Sequence, residues 1–225
     1  HKNYQPVTVT MSGITDCYQP LERKMKITRR CLQVFAEFRN PVVIITKNFL
    51  VTRDIDILQE LAKYNCIHVC VSITTLNKNL MRVLEPRTAA PAMKLKAIEM
   101  LAKAGIPVSV NMAPIIPGLT DHEIPALLEA SANAGACGAH YTVVRLPYAV
   151  KDLFVNWLDE HEPLKKEKIL NRIRSMRGGK LYVAKFGTRM HGEGFFADQI
   201  EHIFRHSKKR FGLAEKSRIL TTRHF

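Results

Sequence analysis

The strongest constraint on the fold is an alternation of short apolar runs with longer amphipathic segments. Apolar runs of strand length, each followed by a polar or Gly/Pro-containing loop, lie at 6–11, 42–46, 67–74, 106–113 and 138–144. Segments with the apolar spacing of helices lie between them, at 28–38, 53–63, 76–84, 88–104 and 124–134. Because the units recur about every thirty residues, the pattern predicts an α/β fold with a parallel sheet or part of a barrel.

One stretch, 108–123, combines a buried strand, an apolar loop and the start of a helix. Pro114, Pro117 and Gly118 are expected to end the strand and stiffen the loop. Thr120 or Asp121 is predicted to cap the next helix. In an α/β barrel such a loop lies at the carboxyl ends of the strands, where ligands bind. An ordinary connection between strand and helix is the alternative.

The last third of the chain is predicted to be helical, at 152–160, 165–176 and 195–211. A glycine-rich segment, 177–194, precedes the final helix. We expect it to lie over or beside the open face of the sheet, where four aromatic side chains could be buried: Tyr182, Phe186, Phe195 and Phe196. Residues 214–225 are predicted to form a loosely held tail.

The charge of the chain is strongly positive, with 34 Lys and Arg against 20 Asp and Glu in 225 residues, a net charge of +14. A basic field favours polyanions, which makes nucleic acid a candidate partner, and a basic solvated surface is the alternative. No apolar run approaches the length of a membrane span, and no secretory signal is visible.

The cysteines are odd in number and irregularly spaced: Cys17, Cys31, Cys66, Cys70 and Cys137. This argues against a secreted disulfide framework and favours reduced thiols in the cytoplasm. Cys66 and Cys70 fall within a strand pattern, so we interpret them as core thiols rather than half of a metal site.

Polar residues follow several of the predicted strands, and the carboxyl ends of parallel strands meet at one edge of the sheet. They offer hydroxyls, one carboxylate, one ammonium and one guanidinium beside the apolar loop 114–118, a set that suits a zwitterionic ligand with an apolar or planar part. The residues are Thr15, Asp16, Lys47, Ser72, Thr74 and Arg145. The sequence contains neither a Gly-rich phosphate loop nor a nucleophile elbow.

Several of these runs together resemble the radical SAM proteins related to spore photoproduct lyase, a group often labelled DNA repair photolyases. The resemblance rests on 13–22, 28–30, 45–47, 71–75, 84–87 and 113–123. In addition, 176–182 and 186–194 resemble the C-terminal signature of an uncharacterised branch. The match extends to about residue 213 and is specific as a combination.

The resemblance implies a partial barrel of six parallel strands and a [4Fe-4S] cluster held by Cys-x-x-x-Cys-x-x-Cys after the first strand. That motif is absent here. We therefore expect the five strands to be the second to sixth, with the cluster-bearing strand absent from this chain and its cysteines upstream of His1. The implied domains are the partial barrel (1–150), a C-terminal helical extension covering it (151–213) and a flexible tail (214–225).

By resemblance, Thr15 and Asp16 match the loop that meets the amino end of S-adenosylmethionine, and Lys47 matches a lysine that pairs with its carboxylate. Ser72, with Thr74 nearby, matches a polar position near the carboxylate or ribose. Ile116 and Pro117 match the loop that packs on adenine. The radical-relay cysteine has no clear equivalent, because Gly13 or Ile14 falls near its place and Cys17 is displaced. Arg145 and Arg189 are candidate substrate contacts.

The implied chemistry is reductive cleavage of S-adenosylmethionine to a 5′-deoxyadenosyl radical, with an electron from flavodoxin or ferredoxin. The substrate is open, and nucleic acid is one candidate. Two alternatives remain: a barrel enzyme that uses Lys47 as a Schiff-base lysine, and a non-catalytic, basic nucleic-acid-binding domain.

Overall fold

A single parallel sheet forms the centre of the molecule. The computed structural model describes residues 3–213 and 219–225. The strands are β1 (Val9–Met11), β2 (Val42–Thr46), β3 (Ile67–Ser72), β4 (Val108–Ile115) and β5 (Gly138–Val143), in the spatial order β1-β2-β3-β4-β5. All four neighbouring pairs are parallel. The predicted α/β fold with a parallel sheet is confirmed, and chain order equals spatial order.

The central strands are buried because helices cover the sheet. Val69 and Val71 of β3 and Val108 and Val110 of β4 are each no more than 1% exposed, as expected for parallel strands with near-continuous apolar runs. The predicted core thiols are also confirmed, since Cys66 and Cys70 are buried.

The helices are α1 (Glu22–Met25), α2 (Ile27–Glu37), α3 (Ile55–Lys63), α4 (Lys78–Leu84), α5 (Pro91–Lys103), α6 (Ile124–Asn133), α7 (Val150–His161), α8 (Lys166–Ser175) and α9 (Phe195–Arg210). Sequence periodicity predicted all of these except α1, which is too short to show one. Short 3-10 helices, Phe49–Asp54 and Asp121–Glu123, precede α3 and α6. The helix pattern that begins at 53 therefore starts in 3-10 form.

An ion network joins α1 and α2 to the segment before α3. Asp54 is fully buried and accepts hydrogen bonds from Tyr18 Oη at 3.1 Å, from Arg29 at 2.9 Å and from Arg53 at 2.7–2.8 Å. Glu22 Oε1 accepts from Arg53 Nη2 at 2.8 Å, and Asp56 Oδ2 accepts from Arg29 Nη2 at 2.6 Å. Glu22, Arg29, Arg53, Asp54 and Asp56 are called the paired network below.

The end of β4 differs from the prediction. The strand was expected to stop before Pro114, but it continues to Ile115. Its pairing with β5 shifts register between Met112 and Ile115. Pro114 lies inside this irregularity, where a strand tolerates the loss of a backbone donor. Thr120 does not cap a helix either: its Oγ1 accepts from Ile116 N at 2.9 Å and closes the loop.

The segment 177–194, called the strap, attaches to the carboxyl end of β5. Val143 N donates to Met190 O at 2.8 Å, and the Tyr141 ring contacts His191 at a centroid distance of 4.7 Å. The expected burial of aromatic side chains is only partly correct, because Phe186 is 85% exposed and Phe195 is 75% exposed. The strap therefore attaches mainly through backbone, His191 and arginine contacts.

Residues 219–225 contact the opposite end of the sheet. Thr221 N donates to Asn65 O at 3.2 Å, and the Phe225 ring lies 5.5 Å from Tyr4 and 6.2 Å from Phe38. These contacts attach this part of the predicted tail to the domain, whereas 214–218 lie outside the described residues. Within 3–213 and 219–225, we find no helix with the length and hydrophobicity needed to cross a membrane.

Candidate functional site

Asp16 organises the loop after β1. Its Oδ1 accepts from Tyr18 N at 2.9 Å, its Oδ2 accepts from Lys47 N at 2.7 Å, and Thr46 Oγ1 lies 2.9 and 3.0 Å from the two oxygens. A carboxylate offers about four acceptor sites. Because three donors contact Asp16, its carboxylate can accept one further hydrogen bond. Asp16 therefore connects the ends of β1 and β2 and still has an acceptor site for a ligand.

Lys47 belongs to a group of charges at the carboxyl edge of the sheet. Its Nζ donates to Glu85 Oε1 and to Thr74 Oγ1 at 3.2 Å. Lys94 Nζ lies 3.3 Å from Glu85 Oε2, and the Lys94 side chain is 1% exposed. Lys47, Glu85 and Lys94, called the lysine cluster below, thus place two ammonium groups on one carboxylate.

The lysine cluster is electrostatically unusual because it is buried and carries excess positive charge. Burial raises the pKa of the Glu85 carboxyl, but the charges of Lys47 and then Lys94 outweigh it and hold that pKa below its usual value. Burial lowers the pKa of the Lys94 amine, and Glu85 opposes this. The charge of Asp16 also raises the pKa of Lys94, so Asp16 adds a weaker second negative charge to the one that Glu85 supplies directly.

The predicted cofactor residues of the first three strands share one cleft. Thr15, Asp16, Lys47 and Ser72 line a cavity of about 190 Å³ together with Ser12, Ile14, Ile45 and Thr46. Thr74 is fully buried beneath it, with its Oγ1 2.8 Å from Glu85 Oε1 and 2.9 Å from Ala113 O. Thr74 thus orients the charged residues instead of lining the cleft.

Ile116 and Pro117 do not lie in this cleft. Both are buried, and Ile116, at 1% exposure, packs in the hydrophobic core. Their contact with adenine stays a prediction. The loop between them and α6 is instead held by Glu123, which accepts from Thr75 Oγ1 at 2.5 Å and from Leu76 N at 2.6 Å.

Arg145 and Arg189 both lie beside the end of β5, but their surroundings differ. The Arg189 guanidinium lies over the exposed Phe186 ring at 5.2 Å. Arg145 Nη1 lies 3.6 Å from Met190 Sδ, and its Nε is buried without a hydrogen-bond partner. The residue next to Arg145 that sequence reasoning missed is Arg177, which donates to Val144 O at 2.8 Å and to Arg189 O at 3.2 Å.

The thiols in this chain do not fit an iron–sulfur cluster. Among the described residues, no group of three His, Cys, Asp or Glu side chains is placed to hold a metal ion. Cys17, the thiol nearest the cleft, is half-buried, and burial raises its pKa to about 11. Within the described part of the chain, no other set of side chains takes the place of the missing cysteine motif.

Two residues important to the site, Glu85 and Lys94, carry weak sequence signals. Glu85 belongs to the Leu-Glu-Pro-Arg run at 84–87, and Lys94 lies among inward-facing apolar residues of α5. A lysine on the buried face of a helix is rarely left without a partner. That position could have indicated an ion pair, although not with which residue.

Residues 1–130 match the model of the radical SAM superfamily, and the chain therefore belongs to that superfamily. Its fold is similar to that of a point mutant of spore photoproduct lyase, with a TM-score of 0.64 at 15% identity over 94% of this chain and 61% of that one. The predicted partial barrel of the radical SAM type is confirmed.

The similar curated proteins are uncharacterised. One from Mycobacterium tuberculosis H37Rv is 29% identical over 171 residues, 75% of this chain and 49% of its own length. One from Methanocaldococcus jannaschii is 33% identical over 115 residues, 51% of this chain and 43% of its own. The chain spans about half the length of the curated relatives that it matches.

Proposed function

We propose that this chain is the S-adenosylmethionine-binding part of a radical SAM enzyme, with the cleft above β1 to β3 as the cofactor site. The observation that carries the proposal is the excess positive charge of the lysine cluster beside that cleft. A buried cationic cluster favours an incoming carboxylate, because charge-assisted hydrogen bonds are strongest where water is excluded.

In the proposed complex, the cofactor carboxylate binds Lys47, whose side chain is 28% exposed and can reach the cleft. The remaining acceptor of Asp16 and the hydroxyl of Thr15 meet the amino group. Ser72 lies near the carboxylate or ribose. Thr74 and Glu85 contact the Lys47 ammonium, and Glu85 competes with the cofactor carboxylate for it.

When bound beside a reduced [4Fe-4S] cluster, S-adenosylmethionine supplies a hydrogen-abstracting radical, and the protein supplies binding, orientation and exclusion of water. We propose that the cluster is held by cysteines outside this chain, in a longer protein that receives electrons from flavodoxin or ferredoxin. The limited share of its relatives that this chain spans supports a longer protein. The free state of all five cysteines supports a reducing, cytoplasmic location.

Arg145 and Arg189, beside the end of β5, are proposed to contact the substrate. The net charge of +14 supports an anionic substrate such as nucleic acid. The proposal does not extend to the lyase reaction itself, because Cys17 is displaced from the relay position and has a raised pKa.

A calorimetric titration of this chain tests the cofactor site. Lys47→Ala should weaken S-adenosylmethionine binding by roughly 1–3 kcal/mol. Lys165→Ala is the matched control, because it removes an exposed lysine that is paired with Glu162 at 2.9 Å. This variant should bind S-adenosylmethionine as tightly as wild type does. Decarboxylated S-adenosylmethionine should bind wild type and Lys47→Ala equally. Equal affinity of both lysine variants for the intact cofactor would count against the placement.

A further inference from the structure

Arg145 and Arg177 form a pair of guanidinium groups where β5 meets the strap. Arg177 is 4% exposed and donates to the carbonyl oxygen of Val144, the residue before Arg145. Neither arginine has a carboxylate partner within the described residues. A buried guanidinium and a half-buried one therefore lie near each other without a carboxylate partner among the described residues.

Hydrogen bonding leaves this pair incomplete. A guanidinium has five N–H donors. Arg177 uses Nη1 on Arg189 O and Nη2 on Val144 O, whereas its Nε is buried without a partner. The Nε of Arg145 is buried and unpartnered as well. Buried donors and buried charges are normally satisfied, so a purely structural role explains the two carbonyl bonds but not the remaining donors.

A cavity adjoins Arg177 on the strap side. It measures about 250 Å³ and is lined by Arg177, Lys180 and Thr188, with Glu193 as its carboxylate. Glu193 is itself paired with Lys185, at 3.6 Å. The cavity therefore offers a guanidinium, an ammonium and a hydroxyl to a ligand.

We propose that Arg145 and Arg177, together with Lys180 and Thr188 of the cavity that adjoins Arg177, form an anion subsite that takes a phosphate group of the substrate. The planar fork of a guanidinium matches the geometry of phosphate oxygens, which an ammonium does not. Like-charge repulsion explains why the pair needs the anion: burial and then the charge of Arg145 lower the pKa of Arg177. The subsite deepens the proposed function in that it assigns a phosphate-bearing substrate to the same barrel.

The test is a titration of this chain with inorganic phosphate in the absence of cofactor. Titration at constant ionic strength should give saturable binding to wild type and at least tenfold weaker binding to Arg145→Gln, a loss of about 1.4 kcal/mol. Lys180→Gln should weaken binding less. Arg30→Gln, which removes an exposed arginine of α2, is the control and should bind as wild type does.

Arg177→Gln removes two buried hydrogen bonds and could unfold the strap, so Arg145→Gln and Lys180→Gln decide the outcome. No saturable phosphate binding to wild type, or equal binding to wild type and Arg145→Gln, overturns the subsite. Since no cofactor is present, such a failure is separate from a failure of the S-adenosylmethionine titration.

Competition distinguishes two sources of the phosphate. If an oligodeoxynucleotide displaces inorganic phosphate only when it carries a 5′-phosphate, the subsite takes a phosphomonoester. If the oligodeoxynucleotide without that group competes equally well, and Arg145→Gln weakens both ligands, the subsite takes the phosphodiester of a nucleic acid. Either result supports the subsite, and competition that persists undiminished in Arg145→Gln contradicts it.

Discussion

The paired network and the Arg145–Arg177 pair both contain guanidinium groups that are at least partly buried, but they differ in how many carboxylates pair with them. The paired network supplies three carboxylates for two guanidiniums. The Arg145–Arg177 pair has none among the described residues. The lysine cluster is intermediate, with one carboxylate for two ammoniums.

The difference separates charges that are fully paired within the fold from charges that we propose bind a ligand. Hydrogen bonds from Arg29 and Arg53 complete the buried Asp54, so the paired network needs nothing from outside. At the carboxyl end of the sheet the positive charge is in excess. The two proposed ligand sites therefore lie where cations outnumber the carboxylates that pair with them directly.

The largest effect should come from breaking the paired network. Asp54→Ala leaves Tyr18 Oη and the half-buried guanidiniums of Arg29 and Arg53 without their common buried acceptor, and should lower the free energy of unfolding by about 3 kcal/mol. Urea denaturation measures the loss. Asp152→Ala, at a carboxylate that is 74% exposed, is the control and should change stability by less than about 0.5 kcal/mol.

Breaking the lysine cluster should have two opposite effects. Among the described residues, Glu85 is the carboxylate that pairs with both ammoniums, so Glu85→Gln should lower the free energy of unfolding by roughly 2 kcal/mol. The same change frees Lys47 from its competitor, so S-adenosylmethionine should bind more tightly, by up to about tenfold. Denaturation and calorimetry on one preparation measure both, and weaker cofactor binding in a folded variant would show that Glu85 does not compete.

Acid should weaken the paired network before it affects the Arg145–Arg177 pair. Burial raises the pKa of Glu22, but hydrogen bonds from Arg53 and from the amides of Thr28 and Arg29 outweigh it and leave the pKa below the ordinary value of 4.5. The folded state then binds fewer protons than the unfolded state, so this stability is present above 4.5 and is lost as pH falls through the folded pKa.

Glu22→Gln should therefore reduce the loss of stability as the pH falls below the ordinary carboxyl pKa of 4.5. Urea midpoints at a series of pH values measure the slope for wild type and variant. Glu160→Gln, at a carboxylate 76% exposed, should retain the wild-type slope. Identical slopes for wild type and Glu22→Gln would remove Glu22 as a contributor.

The smallest effect on stability should come from the pair without an anion. Arg145→Gln removes one of two like charges and no carboxylate contact, so the free energy of unfolding should stay within about 0.5 kcal/mol of wild type or rise. This contrasts with Asp54→Ala in the same denaturation experiment. A loss comparable to that of Asp54→Ala would make Arg145 a structural residue.

The sequence by itself determined the order of strands and helices, because apolar periodicity is a local property of the chain. It also located the charges at the strand ends: Asp16 and Lys47 were predicted to meet at one edge, and Asp16 Oδ2 accepts from Lys47 N at 2.7 Å. The absence of the cluster cysteines could be read from the same sequence.

Only the tertiary structure decided which charges are paired. Lys47 meets Glu85 across 38 positions of sequence, and Arg177 meets Val144 across 33. Spacing within one segment contains no information about such pairs, since strand register and helix packing set them. The same holds for Ile116, which packs in the hydrophobic core: periodicity indicates that a side chain is apolar, but only packing determines how deeply it is buried.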